Sequence, residues 1–166
     1  MTTMNWTKNK NDEYYTPTKV WNDIDSFLPE LCVVYEPFFG QGHTYKYFDK
    51  MNYFMLGEAD LDFFSAAATQ MLKHCDCVIT NPAFSIKYDV INRLVKFDVP
   101  FIMIFPMGCV TTIKFRTAFN ENMNDVSIIV TRRRIKYIKN DELISPNFES
   151  CYVCYKMPQI KPIEFL

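Results

Sequence analysis

The chain has 166 residues, of which 49% are hydrophobic, 16% aromatic and 22% charged. This composition excludes a disordered chain, a collagen-like repeat and a small disulfide scaffold. Because 18 Lys and Arg residues are offset by 19 Asp and Glu residues, the chain is not broadly cationic. A nucleic-acid partner would therefore have to be bound by a local patch of charge.

The longest apolar run, residues 101–110, contains Pro106 and is too short to span a bilayer. The N-terminal sequence MTTMNWTKNKNDE lacks the apolar core of a secretory signal. We therefore expect an intracellular protein that is not secreted and has no membrane partner. We further expect a flexible tail at residues 1–12 and a single catalytic domain at 13–166, without a separate target-recognition domain.

Taken in chain order, short apolar runs alternate with longer amphipathic stretches. The apolar runs predict strands at 31–35, 53–57, 77–80, 101–105, 126–130 and 151–156. The amphipathic stretches predict helices at 43–51, 65–74, 86–95 and 112–122, and residues 132–147 form a polar, basic excursion. This alternation predicts an α/β fold with a doubly wound, mostly parallel sheet, whose last strand is antiparallel at one edge. Such sheets bind ligands at the carboxyl ends of their strands.

The cysteines admit two interpretations. The pairs Cys75/Cys77 and Cys151/Cys154 have spacings found in metal sites, and His74 lies beside the first pair. However, residues three apart on a strand point to opposite faces, and free cysteine usually behaves as a small buried hydrophobe. We therefore predict no metal site.

The first predicted strand runs into the segment EPFFGQG at residues 36–42. Glycines in such a turn let the backbone approach a ligand closely and leave helix N-terminal N–H groups available. The segment lacks the third glycine of the dinucleotide fingerprint and the Lys-Ser/Thr of a P-loop, which disfavours both of those classes. An ordinary tight turn is the alternative.

The strand at 77–80 is followed by Asn81-Pro82-Ala83-Phe84. An amide and an aromatic ring in a proline-stiffened turn at a strand's carboxyl end suit a planar amine substrate. The alternative is an ordinary strand-to-helix turn, in which Asn begins the turn and Pro fixes φ.

With Tyr14-Tyr15-Thr16-Pro17 upstream, these two turns resemble those of the class I S-adenosylmethionine-dependent amino-methyltransferases. The sequence is most similar to the adenine-N6 DNA methyltransferases of phages and large DNA viruses, over residues 12–157. The resemblance implies a Rossmann-like fold, S-adenosyl-L-methionine as cofactor and a viral source. Ala83 stands where the family pattern (Asn/Asp)-Pro-Pro-(Tyr/Phe) has a second proline. Because proline restricts the residue before it, Ala83 leaves the Pro82 carbonyl less rigidly aimed, and slower, less selective or lost catalysis is expected.

The resemblance also implies site residues. Asn81 and Pro82 would accept the two hydrogens of the adenine amine, and Phe84 would stack on the extruded base. The implied cofactor-binding residues are Tyr15, Thr16, Pro17, Glu36, Phe38, Gly40, Gly42, Glu58 and Asp62. For the cofactor ribose Asp60 rivals Glu58, and Asp62 is alternatively a helix cap.

A cluster of basic residues indicates nucleic-acid binding. The predicted contacts are Lys114, Arg116, Arg132, Arg133, Arg134 and Lys136, with Tyr137 as a stacking neighbour. A solvated hairpin edge is the alternative. The sequence thus predicts methyl transfer to the N6 amine of adenine, with DNA favoured over RNA as the partner. An RNA adenine or protein glutamine methyltransferase stays open, as does a catalytically impaired nucleic-acid-binding relative, a homodimer or a partner subunit.

Overall fold

The computed structural model describes residues 14–50, 53–57 and 60–166. The strands in these ranges are β1 (Val33–Tyr35), β2 (Phe54–Leu56), β3 (Cys77–Thr80), β4 (Phe101–Pro106), β5 (Val126–Val130), β6 (Tyr137–Lys139), β7 (Glu142–Ile144), β8 (Ser150–Tyr155) and β9 (Ile163–Phe165). The α-helices are α1 (His43–Lys50), α2 (Ala66–His74), α3 (Lys87–Lys96) and α4 (Ile113–Ala118). Short 3-10 helices lie at Thr18–Asp23, Asp25–Phe27 and Met107–Cys109. The predicted tail at 1–12 lies outside the described residues.

Seven strands form one sheet in the order β2-β1-β3-β4-β8-β5-β9, and β6 and β7 form a separate hairpin. Strands β1 to β4 are mutually parallel, β5 and β9 run in the same direction, and β8 is antiparallel to both of its neighbours. The predicted α/β class with a mostly parallel sheet is therefore confirmed.

The position of the antiparallel strand differs from the prediction. β8 lies between β4 and β5, not at an edge. All six of its residues are buried, and its apolar side chains point to both faces, which suits a central position where both faces of the sheet are covered. The edge is instead formed by β9, whose Ile163 and Phe165 side chains are exposed.

Alternating side chains of the central strands divide the core into two layers. Ile102 and Ile104 of β4 pack on one face, together with Trp21 and with Phe48 of α1. Phe101, Met103 and Phe105 pack on the other face, against α2, α3 and α4. Helical cover on both faces buries the first five residues of β4, as its continuous apolar run predicted.

Two segments depart from the predicted elements in length. Helix α4 ends at Ala118, four residues early, because Asn120 and Glu121 adopt left-handed backbone angles, with φ of 53° and 61°. The excursion at 132–147 contains the β6–β7 hairpin, which turns through Asn140 and Asp141 at φ of 52° and 64°. A turn with positive φ at both central residues matches the right-handed twist of a hairpin, and Asn-Asp tolerates it. Within the described residues, no helix is long and apolar enough to cross a membrane.

Candidate active site

The loops that follow β1 and β3 meet at the carboxyl edge of the sheet, because these strands are adjacent and parallel. We call residues 36–42 the glycine loop and residues 81–84 the catalytic loop. Since β8 runs in the opposite direction and begins where β4 ends, residues 148–149 arrive at the same edge. Residues 14–17, which we call the strap, complete this edge. Tyr15 exchanges two backbone hydrogen bonds with Ile138 of β6, at 3.0 and 2.8 Å.

Asn81 is oriented by the strap. Its Nδ2 donates to the Tyr14 carbonyl at 2.9 Å and to Thr16 Oγ1 at 3.0 Å. Its Oδ1 is buried and has no hydrogen-bond partner among the described residues. Leaving a buried acceptor unpaired costs about 1–3 kcal/mol, so this oxygen is well suited to accept a hydrogen from a bound ligand.

The catalytic loop turns directly into α3. The Ile86 N–H donates to the Ala83 carbonyl at 3.1 Å, and Lys87 Nζ donates to the Phe84 carbonyl at 2.8 Å. Pro82 is buried, whereas Ala83 and Phe84 are partly exposed. The loop is thus anchored at its end, and two of its side chains reach the surface of the site.

Four rings that we call the aromatic cluster pack together at the end of the catalytic loop: Tyr14, Phe84, Tyr137 and Phe148. The Tyr14 and Phe84 rings are nearly parallel, with centroids 6.0 Å apart and planes at 20°. The Phe148 ring meets Phe84 edge to face at 5.1 Å. Tyr137 is fully buried and shares a 2.7 Å hydrogen bond with Ser150, so it forms the floor of the cluster. The prediction that Tyr137 stacks on nucleic acid is wrong, because its ring is inaccessible.

The glycine loop lies against the strap. Gly40 and Gly42 have φ of 51° and 72°, a conformation that glycine adopts without strain. A Cβ on Gly40 would lie 3.1 Å from the Tyr15 ring. Two of the predicted cofactor segments are therefore in direct contact.

Glu36 points inward instead of into the site. Its carboxyl group accepts from Thr80 Oγ1 at 2.5 Å and from the Phe38 N–H at 3.0 Å, and only 2% of the residue is exposed. Burial raises the pKa of this carboxyl group to about 8, although hydrogen bonds from Thr80, Phe38 and Thr44 act to lower it. Glu36 thus joins the glycine loop to Thr80, the residue that precedes Asn81. Because the carboxyl group is buried, its direct contact with a cofactor is disfavoured.

The other predicted cofactor residues are spread around this edge. Thr16 and Pro17 are buried, and the Thr16 hydroxyl oxygen accepts from Asn81. The Phe38 ring packs on Phe63 at 5.3 Å. Glu58 lies outside the described residues.

Asp62 is exposed and accepts from the Phe64 N–H at 2.9 Å. The cap of α2 is Ser65, whose hydroxyl accepts from Ala68, so the interpretation of Asp62 as a helix cap is wrong.

Arg132, Arg133 and Arg134, which we call the basic triplet, are exposed, but two of their guanidinium groups are already hydrogen-bonded. Arg134 binds Glu149 through Nε and Nη2 and donates through Nη1 to the Pro146 carbonyl at 3.2 Å. Arg132 Nε donates to the Leu166 carbonyl at 3.3 Å. Arg133 and Lys136 are exposed.

Lys114 and Arg116 lie on α4, which packs on the opposite face of the sheet from Ile135 and Tyr137. Arg116 pairs with Glu121 at 3.2 Å. The prediction that Lys114 and Arg116 extend the triplet into one patch is therefore not supported by the fold.

The cysteines are free thiols distributed over both layers of the core. Cys151 and Cys154 point to opposite faces of β8, as the strand prediction required. Burial raises the pKa of the Cys32 thiol to about 11 and that of Cys151 to about 12. No group of three or more potential metal ligands occurs in the described part of the chain.

Three contributors to the site were missed at the level of sequence: Tyr14 as the partner of Asn81, Thr80 as the partner of Glu36, and Phe148. Thr80 had a usable signal, because a hydroxyl at the carboxyl end of a buried strand needs a hydrogen-bond partner. Phe148 had none, since its arrival depends on the position of β8 inside the sheet.

Comparison with known proteins identifies the family. A family model described as "adenine-specific methyltransferase EcoRI" matches residues 41–143, which is more than half of the chain and includes the catalytic loop. The chain belongs to the EcoRI adenine-specific methyltransferase family. The adenine-specific resemblance expected from the three sequence motifs is thereby confirmed.

Within this family, the chain is 36% identical over 61 residues to the Type II methyltransferase M.EcoRI of Escherichia coli. That alignment covers 37% of this chain and only 18% of M.EcoRI, so the chain matches less than a fifth of that relative's length. Among solved structures, it is similar to the precorrin-6y C5,15-methyltransferase of Geobacter metallireducens GS-15, with a TM-score of 0.42 and 13% identity. That comparison covers 87% of this chain and 93% of the other.

Proposed function

We propose that this chain transfers a methyl group from S-adenosylmethionine to the N6 amine of adenine in DNA. The observation that carries the proposal is Asn81, whose buried Oδ1 has no partner in the described part of the chain while its Nδ2 is fixed by Tyr14 and Thr16. This acceptor lies in the segment matched by the adenine-specific family model. The hydrogen of an exocyclic amine is a donor that such an oxygen can accept.

The residues at the carboxyl edge fit the proposed cofactor. The glycine loop carries no side chain at Gly40, and Asp62 provides an exposed carboxylate on the adjoining loop. Phe38 and Tyr15 line the glycine loop with apolar surface. These four residues would hold the cofactor, with Glu36 shaping the loop from beneath. When bound, S-adenosylmethionine supplies an electrophilic methyl group on a sulfonium centre.

Residues of the catalytic loop would activate the amine. The lone pair of the adenine amine is delocalised into the ring, so the nitrogen is a poor nucleophile. Asn81 Oδ1 and the Pro82 carbonyl would accept its two hydrogens and draw the nitrogen towards tetrahedral geometry, while Phe84 stacks on the base. Most of the barrier reduction would come from positioning and from these preorganised acceptors.

The test is mass spectrometry of nucleosides from DNA and RNA treated with the protein and labelled S-adenosylmethionine. We expect N6-methyladenine in DNA, and a loss in kcat on the order of a hundredfold for Asn81→Ala, as for removal of one preorganised hydrogen-bonding group. Asn81→Asp keeps an acceptor and is the matched control, with intermediate activity expected. Cofactor affinity should be equal in all three proteins.

Product identity separates the remaining alternatives. Methylated adenine in RNA alone, or methylglutamine in added protein, would replace DNA as the substrate. Cofactor binding without any product would support a catalytically impaired relative or a partner subunit, and analytical ultracentrifugation tests for a homodimer. The intracellular location, the viral source and the single catalytic domain at 13–166 remain predictions.

A further inference from the structure

The aromatic cluster contains a second ring, Tyr14, that lies nearly parallel to the Phe84 ring. The Tyr14 and Phe84 rings face each other at 6.0 Å with planes only 20° apart, and Asn81, whose Oδ1 has no partner among the described residues, is bonded through Nδ2 to the Tyr14 carbonyl. Phe148 stands at the edge of this pair, 5.6 Å from Tyr14 and 5.1 Å from Phe84. All three rings are partly exposed, whereas Tyr137 beneath them is fully buried.

We propose that Tyr14 and Phe148 are substrate-binding residues: the extruded adenine inserts between the Tyr14 and Phe84 rings, and the Phe148 ring contacts its edge. This inference rests on the proposed function and adds a second stacking face and an edge wall to it. Two parallel rings hold a planar base when their planes are about 7 Å apart, since stacked carbons lie about 3.5 Å from each other. Because the centroid separation of 6.0 Å is an upper limit to the present plane spacing, the two rings must open by at least about 1 Å.

The backbone bonds of the strap do not involve the Tyr14 ring. The bond that orients Asn81 comes from the Tyr14 backbone carbonyl, and Tyr15 anchors the strap to β6 through its own backbone. Opening of the pair therefore requires the Tyr14 ring to shift against Tyr137 at 5.5 Å and Lys139 Nζ at 4.7 Å, while the strap backbone and the Asn81 amide stay in place. The Tyr137 floor remains fixed by its bond to Ser150. A base that enters between the rings meets Asn81 Oδ1 beside it.

The same geometry favours a planar base over a sugar. Three rings supply flat apolar surface, and Asn81 Oδ1, which has no partner among the described residues, is an acceptor that suits an exocyclic amine. A base stacked on one aromatic ring gains enough affinity to change binding about tenfold. Stacking of one ring on each face of the base would stabilise the base outside the duplex.

The experiment compares binding of two short single-stranded DNA pools to protein saturated with S-adenosylhomocysteine. One pool has random sequence containing adenine, and in the other an abasic site replaces every adenine. The wild-type protein should prefer the adenine pool. Tyr14→Ala should lower affinity for that pool roughly tenfold and leave affinity for the abasic pool unchanged. Phe148→Ala should act in the same direction, and Tyr14→Phe should retain the preference.

Phe54→Ala is the matched control, since it removes an exposed ring on β2, away from the cluster. Equal affinity of wild type and Tyr14→Ala for the adenine pool would overturn the inference. So would a Tyr14→Ala protein that binds S-adenosylhomocysteine more weakly, because that result assigns the ring to the cofactor. The outcome is separate from that of the proposed function, because a protein that prefers adenine but forms no methyladenine disproves catalysis and not the pocket.

Discussion

Glu36 is the residue in which burial and hydrogen bonding oppose each other most clearly. Three donors converge on its carboxyl group, yet its pKa is raised to about 8 because burial outweighs them. Between the ordinary value of 4.5 and this raised value, the folded state holds a proton that the unfolded state releases. The free energy of unfolding must therefore decrease as pH rises through this window.

We predict a stability loss of up to about 1.4 kcal/mol per pH unit from this one group. Glu36→Gln carries no charge at any pH and should remove that part of the slope. Urea-unfolding midpoints measured between about pH 5 and pH 8 test the prediction. Glu142→Gln, at an exposed carboxyl group on β7, is the control for loss of one acid. Identical slopes for wild type and Glu36→Gln would contradict the internal role of this carboxyl group.

Asn81 shows how far residue chemistry could be predicted from the sequence. Its place in a turn after a buried strand, beside Pro82 and Phe84, was sufficient to predict an amine-binding loop. Its orientation was not predictable, because the bonds that fix it come from Tyr14 and Thr16, more than sixty positions away. Glu36 was predicted as a cofactor residue from its place in the glycine loop. Its inward orientation was not predictable, because it depends on a hydrogen bond from Thr80, which is distant in the sequence.

At the scale of elements, prediction succeeded where a strand carries its own signal. β3 and β5 have the predicted bounds, because each is a short apolar run between clear breakers. The β6–β7 hairpin was missed, although Asn140-Asp141 between Ile138 and Leu143 is a hairpin signal. β9 was also missed, since three residues with two exposed apolar side chains give little pattern.

The hairpin allows a selective test of the strap. Ile138 directs both its N–H and its carbonyl to Tyr15, so in the alternating pattern of antiparallel pairs neither group bonds β7. Ile138→Pro therefore removes one strap bond and spares the hairpin. We expect the rate of methyl transfer at saturating cofactor to fall roughly two- to tenfold, the value of one hydrogen bond.

Leu143→Pro is the matched control for this variant. Leu143 is the direct partner of Ile138 in the hairpin register, and its own N–H points away from β6. This substitution should leave the rate unchanged. Equal rates for Ile138→Pro and wild type would show that the strap does not position Asn81 through β6.

At the scale of the whole molecule, one topological feature assembles the site. Because β8 is inserted between β4 and β5, Phe148 and Glu149 meet the catalytic loop and Arg134 at the carboxyl edge of the sheet. The parallel part of the sheet was predictable from alternating apolar and amphipathic stretches. The insertion was not predicted: the continuous apolar run of β8 indicates burial on both faces, but it does not specify which two strands lie beside it.

The overall charge balance makes binding of nucleic acid a local property. With 18 basic and 19 acidic side chains, the net charge is -1, so long-range attraction to DNA is weak. The contribution of the basic triplet then depends on which guanidinium groups are available. Arg134 is committed to Glu149 and Pro146, whereas Arg132 is exposed and donates through Nε to Leu166, and Arg133 is exposed without a carboxylate partner in the described part of the chain.

We therefore predict different salt dependences for two variants. Each phosphate contact contributes about 0.9 to the slope of log affinity against log salt concentration. Arg132→Ala combined with Arg133→Ala should weaken DNA binding and reduce that slope by up to about 2. Arg134→Ala should leave the slope nearly unchanged, because its charge is already compensated by Glu149. Fluorescence anisotropy over a salt series measures both, and a slope that falls equally in the two variants would show that the Arg134–Glu149 pair opens to bind phosphate.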